Sequence, residues 1–226
     1  MEKWISKLFQ NPELLGMGHC QRFEDLNLGF GWLYYALARL LRPRRVVVIG
    51  SYRGFTPLVF GKALSDNLED GSVFFIDPSL VDDFWKDANK VQEYFCALGV
   101  TNIRHFSLTT QEFINTETYR SLNEVGIVLI DGYHSEEQAC LDFEAFQNRV
   151  SPEGVILLHD SVEVSTSRIY GPNRAYERTV KLFVDRLKTN RDLQVFDLPF
   201  AHGLTLVRKT GAQLEKPERQ DGDGNH

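Results

Sequence analysis

Two short polar strings hold most of the residues able to do chemistry: "DGYH", Asp131 to His134, and "LLHDS", where His159 and Asp160 close an apolar run. Asp131 and His134 are three residues apart, so both can face one pocket from the tip of a strand. Carboxylates on two strand ends, with an imidazole beside them, can bind one oxygen-loving divalent cation while water and substrate complete its shell. The same groups can equally serve as caps, since each precedes a helix or loop.

A third string, "GSYRGFT", spans Gly50 to Thr56 directly after an aliphatic run. Its two glycines let a backbone turn sharply and be approached closely. It lacks the third glycine of the dinucleotide fingerprint and the Lys-Ser/Thr ending of a P-loop, which makes phosphate cradling a poor reading. A tight strand-to-helix turn accounts for it equally well. Asp77 closes the next apolar run in "VFFIDPS", a place from which a carboxylate accepts hydrogen bonds from both hydroxyls of a ribose, or caps a turn before Pro78. Together the glycine turn and Asp77 favour a nucleoside ligand.

These residues need strands to carry them. Apolar, β-branched runs at Val46 to Ile49, Val73 to Ile76, Ile103 to Phe106, Ile127 to Ile130 and Val155 to Leu158 alternate with helix-period segments, which is the pattern of a parallel sheet covered on both faces. "LQVFDLP" and "GLTLVRK" are joined by only "FAH", a hairpin length, so the last strand is expected to be antiparallel. Ligands of such sheets bind beyond the C-terminal strand ends, where all three strings fall. Helices are expected over Trp4 to Leu15 and over Leu28 to Leu41, the second ended by Pro43. "IYGPNRAYERTV" reads as a loop entering a helix, with Tyr170, Arg168 and Arg174 on the loop. His105 in a strand reads as structural, and His202 in a hairpin turn as a surface residue.

With 226 residues the chain has room for one large domain. At 42% hydrophobic and 25% charged it is ordinary globular material, and its net charge of −6 argues against a nucleic-acid binder. Cys20, Cys96 and Cys140 form no CxxC pair, so a reducing cytoplasm is the expected setting. The longest apolar run, "LGFGWLYYALARLL", is interrupted by Arg39 before it reaches spanning length, and no membrane partner is expected. A small-molecule partner fits these numbers best. Whether two copies pair as a homodimer is left open.

On these residues the chain resembles class I S-adenosylmethionine-dependent methyltransferases, and among them the small-molecule O-methyltransferases that include the catechol and macrocin enzymes. "IGSYRGFT" is similar to their first motif, "LTTQEF" to the segment flanking adenine, and "LIDGYHSEEQACLDFEAFQNRVSPEGVILLHDS" to their fourth and fifth strands with the helix between. The resemblance runs from about Leu40 to Lys209. It implies a Rossmann-like α/β fold, a seven-stranded, mostly parallel sheet of order 3-2-1-4-5-7-6 with the last strand antiparallel and helices on both faces. It implies an N-terminal helical, substrate-side cap at 1–42, a cofactor domain at 43–209 and a disordered polar tail at 210–226.

The resemblance also implies S-adenosylmethionine held by Gly50, Ser51, Tyr52, Gly54, Thr56, Asp77, Thr110, Gln111 and Asp131. Mg²⁺ or another divalent cation would be held by Asp131, Asp160 and Ser161, the last matching an amide ligand of the family. His134 stands where catechol-type enzymes place a lysine base, and Val48 stands where the family often has an acid. A neutral imidazole can take a proton from a cation-bound hydroxyl. The expected activity is O-methylation of a small-molecule hydroxyl. Two rivals stay open: a cephalosporin-hydroxylase-like tailoring enzyme of the same fold, and a non-catalytic cofactor-binding scaffold suggested by Val48.

Overall fold

Side chains alternate along the central strands, and both faces are buried. Val46, Val48, Phe75, Ile127, Leu129 and Leu157 pack into one apolar cluster, whereas Val47, Ile49, Phe74, Val128, Ile130 and Ile156 pack into another. Alternation with no wet face explains why these strands read as continuous aliphatic runs. The computed structural model describes residues 1–15 and 18–211. The expected polar tail lies outside the described residues from 212 onward.

Strands β1 Arg45–Ile49, β2 Ser72–Ile76, β3 Ile103–Phe106, β4 Val125–Ile130 and β5 Val150–His159 pair in parallel. A small separate ribbon follows, formed by β6 Ser165–Ser167 and β7 Tyr176–Arg178. The hairpin β8 Leu193–Leu198 and β9 Leu204–Lys209 completes a seven-stranded sheet of order β3-β2-β1-β4-β5-β9-β8, in which β9 is antiparallel to both neighbours. This is the expected Rossmann-like topology, with the ribbon adding two to the strand numbering.

Helices α1 Glu2–Leu8, α2 Phe30–Leu41, α3 Phe55–Ser65 and α4 Ala88–Ala97 contribute to the first cluster. Short helices α5 Thr110–Phe113 and α6 Glu117–Ser121, with α7 Glu136–Phe146 and α8 Val180–Leu187, contribute to the second. Val48 is fully buried in the first cluster, so an acid there would sit among apolar neighbours.

Two expectations change. The helix expected over Trp4 to Leu15 stops at Leu8, and a single 3₁₀ turn occupies Pro12–Leu14. Pro12 disfavours helical backbone at Asn11, which is extended toward φ −114° and ψ 90°. Ile5, Leu8, Leu14 and Leu15 nevertheless join the first cluster, so the N-terminal segment shares one core with the sheet. The segment read as a loop before α8 instead folds through the β6–β7 ribbon, which returns residues 176–178 to the sheet rim. Among the described residues, no helix is long and apolar enough to cross a membrane.

Candidate functional site

The tip of β1 is a main-chain construction. Gly50 has φ +73°, its amide donates to the Ile76 carbonyl at 2.8 Å, and the Asp131 amide donates to the Ile49 carbonyl at 2.8 Å. A Cβ on Gly50 would stand 2.3 Å from the Asp131 carbonyl oxygen and 2.6 Å from the Gly132 Cα. Gly50 is therefore bare first because the β4 tip crosses it, whereas the sequence had assigned its bareness to a ligand. Gly54, with φ +85°, turns the chain into α3, and a side chain there would press on Trp85 and Phe95 at 3.0 Å.

Ser51 and Tyr52 line the cavity beyond these strand tips, but Gly54 and Thr56 do not. Thr56 works from beneath, donating from its Oγ1 to the buried Ser51 Oγ at 2.8 Å. Tyr52, itself at φ 46°, accepts on its carbonyl from Trp85 Nε1 at 2.8 Å. Arg53 pairs with Glu13 at 3.1 Å and Asp82 at 2.7 Å, tying the turn to the N-terminal segment.

Asp77 follows β2 and lines the same cavity. Burial pushes its carboxyl up to about 6, against the amides of Ser79 and Ser51, the first of which donates to Oδ1 at 2.7 Å. His105 is structural, as expected: its Nε2 lies 3.1 Å from the Asp77 carbonyl, and burial lowers its pKa. Thr110 and Gln111 begin α5, which a Thr109–Glu112 capping box fixes, and both line the cavity. Gln111 Nε2 donates to Gln138 Oε1 at 2.9 Å. The sequence reading passed over Asp142, a buried carboxylate on α7 that also lines the cavity; burial raises its pKa to about 6, opposed by Thr110 and Gln138.

Beyond Gly50 the construction changes to ionisable side chains. Asp131 and Asp160, on neighbouring strand ends, converge on His159, whose Nδ1 is 2.9 Å from Asp131 Oδ1 and 3.4 Å from Asp160 Oδ1. His134 lies between the same carboxylates, at 3.7 Å from each. His19, from the segment before β1, reaches Asp131 Oδ2 with Nε2 at 3.5 Å, while its Nδ1 is 3.2 Å from the fully buried Tyr34 hydroxyl. Arg178 NH1 of β7 pairs with Asp160 Oδ2 at 2.5 Å. Asp160 holds a left-handed backbone, φ 52°, a conformation that Asp adopts more readily than most residues with a Cβ.

Burial alone would lower the His159 pKa, but the charges of Asp131 and Asp160 outweigh it and hold it up to about 9. Burial would raise Asp131, yet the neighbouring His159 and His19 hold it well below the usual carboxylate range. For His134 and His19 burial prevails, and both imidazoles are held below the ordinary histidine value. His134 is thereby held toward its neutral form.

Ser161 does not join this cluster. Its hydroxyl is 2.7 Å from Thr205 Oγ1, and the residue does not line the cavity. His202, expected at the surface, is half-buried, pairs with Glu163 at 2.5 Å and borders the cavity. Arg168 and Arg174 are exposed. Both rim constructions border one cavity of about 330 Å³, large enough for a small ligand. Its outer wall is aromatic: Tyr133 and Tyr176 stack with centroids 4.9 Å apart, and Tyr170 lies within 5.9 Å of both.

Of the expected residues, then, Gly50, Ser51, Tyr52, Asp77, Thr110, Gln111, Asp131, His134 and Asp160 meet at one cavity, while Gly54, Thr56 and Ser161 stand behind it. His19 and Arg178 carried no sequence signal, because folding alone brings them to Asp131 and Asp160, and Tyr34 reaches the cluster only through His19. His159 did have a signal, its place at a strand end, but received no role.

Comparison with known proteins adds three kinds of likeness. A family model described as a methyltransferase domain matches residues 47–161. An uncharacterized protein of Sinorhizobium fredii is 26% identical over 133 residues, which is 58% of this chain but only 14% of that protein's length. Among solved structures, a Corynebacterium glutamicum protein superposes with TM-score 0.63 at 16% identity, covering 92% of this chain and 90% of its own. The O-methyltransferase TomG of Streptomyces achromogenes, solved with SAM, gives TM-score 0.60 at 17% identity over 93% and 89% of the two chains. A Bacillus cereus O-methyltransferase in complex with SAH gives 0.60 at 15% identity over 92% and 89%.

Proposed function

We propose that this chain, which belongs to the methyltransferase family whose domain model spans residues 47–161, transfers the methyl group of S-adenosylmethionine to a hydroxyl of a small molecule. The observation that carries this reading is the convergence of the β1, β2 and β4 tips on one cavity, so that Gly50, Asp77 and Asp131 face a single ligand-sized space. Asp77 suits the ribose, since near pH 7 a carboxyl with a pKa of about 6 is mostly ionised and accepts two hydroxyls. The Gly50–Tyr52 turn offers main chain to the methionine end, and Thr110 with Gln111 borders the place left for adenine.

Transfer is a displacement in line. The acceptor oxygen forms a bond to the methyl carbon as the carbon–sulfur bond breaks, and the bonding pair returns to sulfur. The hydroxyl proton passes to neutral His134, directly or through water. Asp131 and Asp160 are the carboxylates that would hold a divalent cation, whose chemistry would be to raise the acidity of the hydroxyl. Positioning supplies most of the remaining rate, because the protein forms no covalent bond to substrate. Tyr133, Tyr170 and Tyr176 give the acceptor side of the cavity an apolar, planar wall. The free thiols of Cys20, Cys96 and Cys140 accord with a cytoplasmic setting.

The test is transfer of a labelled methyl group from S-adenosylmethionine to a panel of phenols, catechols and sugar hydroxyls. Labelled product that disappears in Asp131→Ala supports the reading. Cofactor binding with no transfer to any hydroxyl class contradicts it and leaves a cofactor-binding protein.

A further inference from the structure

The atoms around His159 do not satisfy one another. Its Nε2 lies 3.2 Å from the Gly18 carbonyl, which can only accept, so Nε2 carries the proton of that bond. In a neutral ring, Nδ1 is then a lone pair pointing into a space bordered by carboxylate oxygens at 2.9 and 3.4 Å. Both His159 Nδ1 and Asp160 Oδ1 are buried and make no hydrogen bond, in residues only 2% and 3% exposed. Lone pairs gathered this closely need a positive charge between them, which either a second proton on the ring or a metal ion that replaces that proton supplies. A proton on Nδ1 pairs with Asp131 Oδ1 at 2.9 Å by charge but without hydrogen-bond alignment, whereas a metal ion in its place serves several lone pairs at once.

We propose that His19, Asp131 and His159 bind one divalent first-row transition-metal ion, with His134 and Asp160 facing it from the other side. One donor atom from each of the first three residues falls within 4.8 Å of the others, and the same holds for His134, His159 and Asp160. Asp160 is already engaged by Arg178 at 2.5 Å, which leaves Asp131 as the principal carboxylate. Two imidazoles and one carboxylate suit Zn²⁺, Fe²⁺, Co²⁺ or Ni²⁺, whereas Mg²⁺ and Ca²⁺ take oxygen ligands.

The outer partners also fit. Metal-binding histidines usually give their second nitrogen to a carbonyl or another polar group, here the Gly18 carbonyl for His159 and the Tyr34 hydroxyl, at 3.2 Å, for His19. The metal would thus join the segment before β1 to the strand tips. This deepens the cation of the proposed transfer site, and its catalytic meaning rests on that reading, but the binding itself does not.

The test titrates chelator-stripped, untagged full-length protein with Co²⁺, following visible ligand-field absorption, and separately measures S-adenosylhomocysteine binding by calorimetry. One Co²⁺ per chain is expected, displaced by Zn²⁺ and unaffected by a large excess of Mg²⁺. His19→Ala and His159→Ala, checked for folding by circular dichroism, should each weaken Co²⁺ by about 100-fold or more. The wild-type titration decides even if a variant fails to fold. Absence of the absorption band, equal Co²⁺ affinity in folded variants, or ready displacement by Mg²⁺ overturns the proposal. Co²⁺ binding without S-adenosylhomocysteine binding leaves the metal site standing and removes the transfer reading; the converse removes only the metal.

Discussion

Around Gly50 the rim is made of main chain, whereas around His159 it is made of charged and titratable side chains drawn from four separate stretches of sequence. At the first place, amides and carbonyls close on one another at 2.8 Å and a Cβ has no room. At the second, two carboxylates, three imidazoles and a guanidinium converge, and His159 Nδ1, Asp160 Oδ1 and Arg178 Nε make no hydrogen bond. A main-chain turn recognises shape and, apart from the Asp77 carboxylate beside it, barely responds to protonation or to ions. A side-chain cluster responds to both, and under the proposed transfer the contrast separates a holding end from a reacting end within one cavity.

Substitutions can break that separation. The largest effect is expected at the reacting end: Asp131→Ala should lower the turnover number by about 100-fold or more, far more than it weakens cofactor binding, as read by single-turnover methyl transfer beside calorimetry. Equal losses in both would merge the two ends into one.

Gly50→Val attacks the holding end through the fold. Overpacking against the Asp131 carbonyl should cost about 1–3 kcal/mol, and the left-handed backbone about 1–2 kcal/mol more. A lowered urea midpoint is the expected result, and an unchanged midpoint would mean that the β4 tip yields easily.

Asp77→Asn sharpens the comparison by pH. In the wild type, affinity for S-adenosylhomocysteine should fall as pH drops through about 6, because protonation removes an acceptor that is charged above that value. The Asn variant should bind about tenfold more weakly near neutrality, with a flat profile over the same interval. The smallest effect belongs to Thr56→Val, which removes the bond to Ser51 Oγ and should cost about 1 kcal/mol in chemical denaturation while sparing turnover.

The two ends were also unequally legible in the sequence. Strand tips are local features: an aliphatic run followed by Gly50, Asp77 or Asp131 announces its place, the hairpin length gives the antiparallel last strand, and the sheet order came from the family resemblance. His19 has no such announcement. It comes to Asp131 only because Gly18 lies across His159, a contact between residues 141 positions apart, and no spacing rule spans that interval. Arg178 likewise depends on a ribbon whose three-residue strands are too short for a periodic signal. Ser161 illustrates the opposite error, since it is adjacent to Asp160 in sequence yet turned toward Thr205.

The most direct measurement is a calorimetric titration of the purified chain and of Asp77→Ala with S-adenosylhomocysteine. One site per chain in the wild type, weakened about tenfold or more by the substitution, is the predicted result. No binding heat in the wild type, or indistinguishable binding in a folded Asp77→Ala protein, would contradict the assignment of the rim to this cofactor.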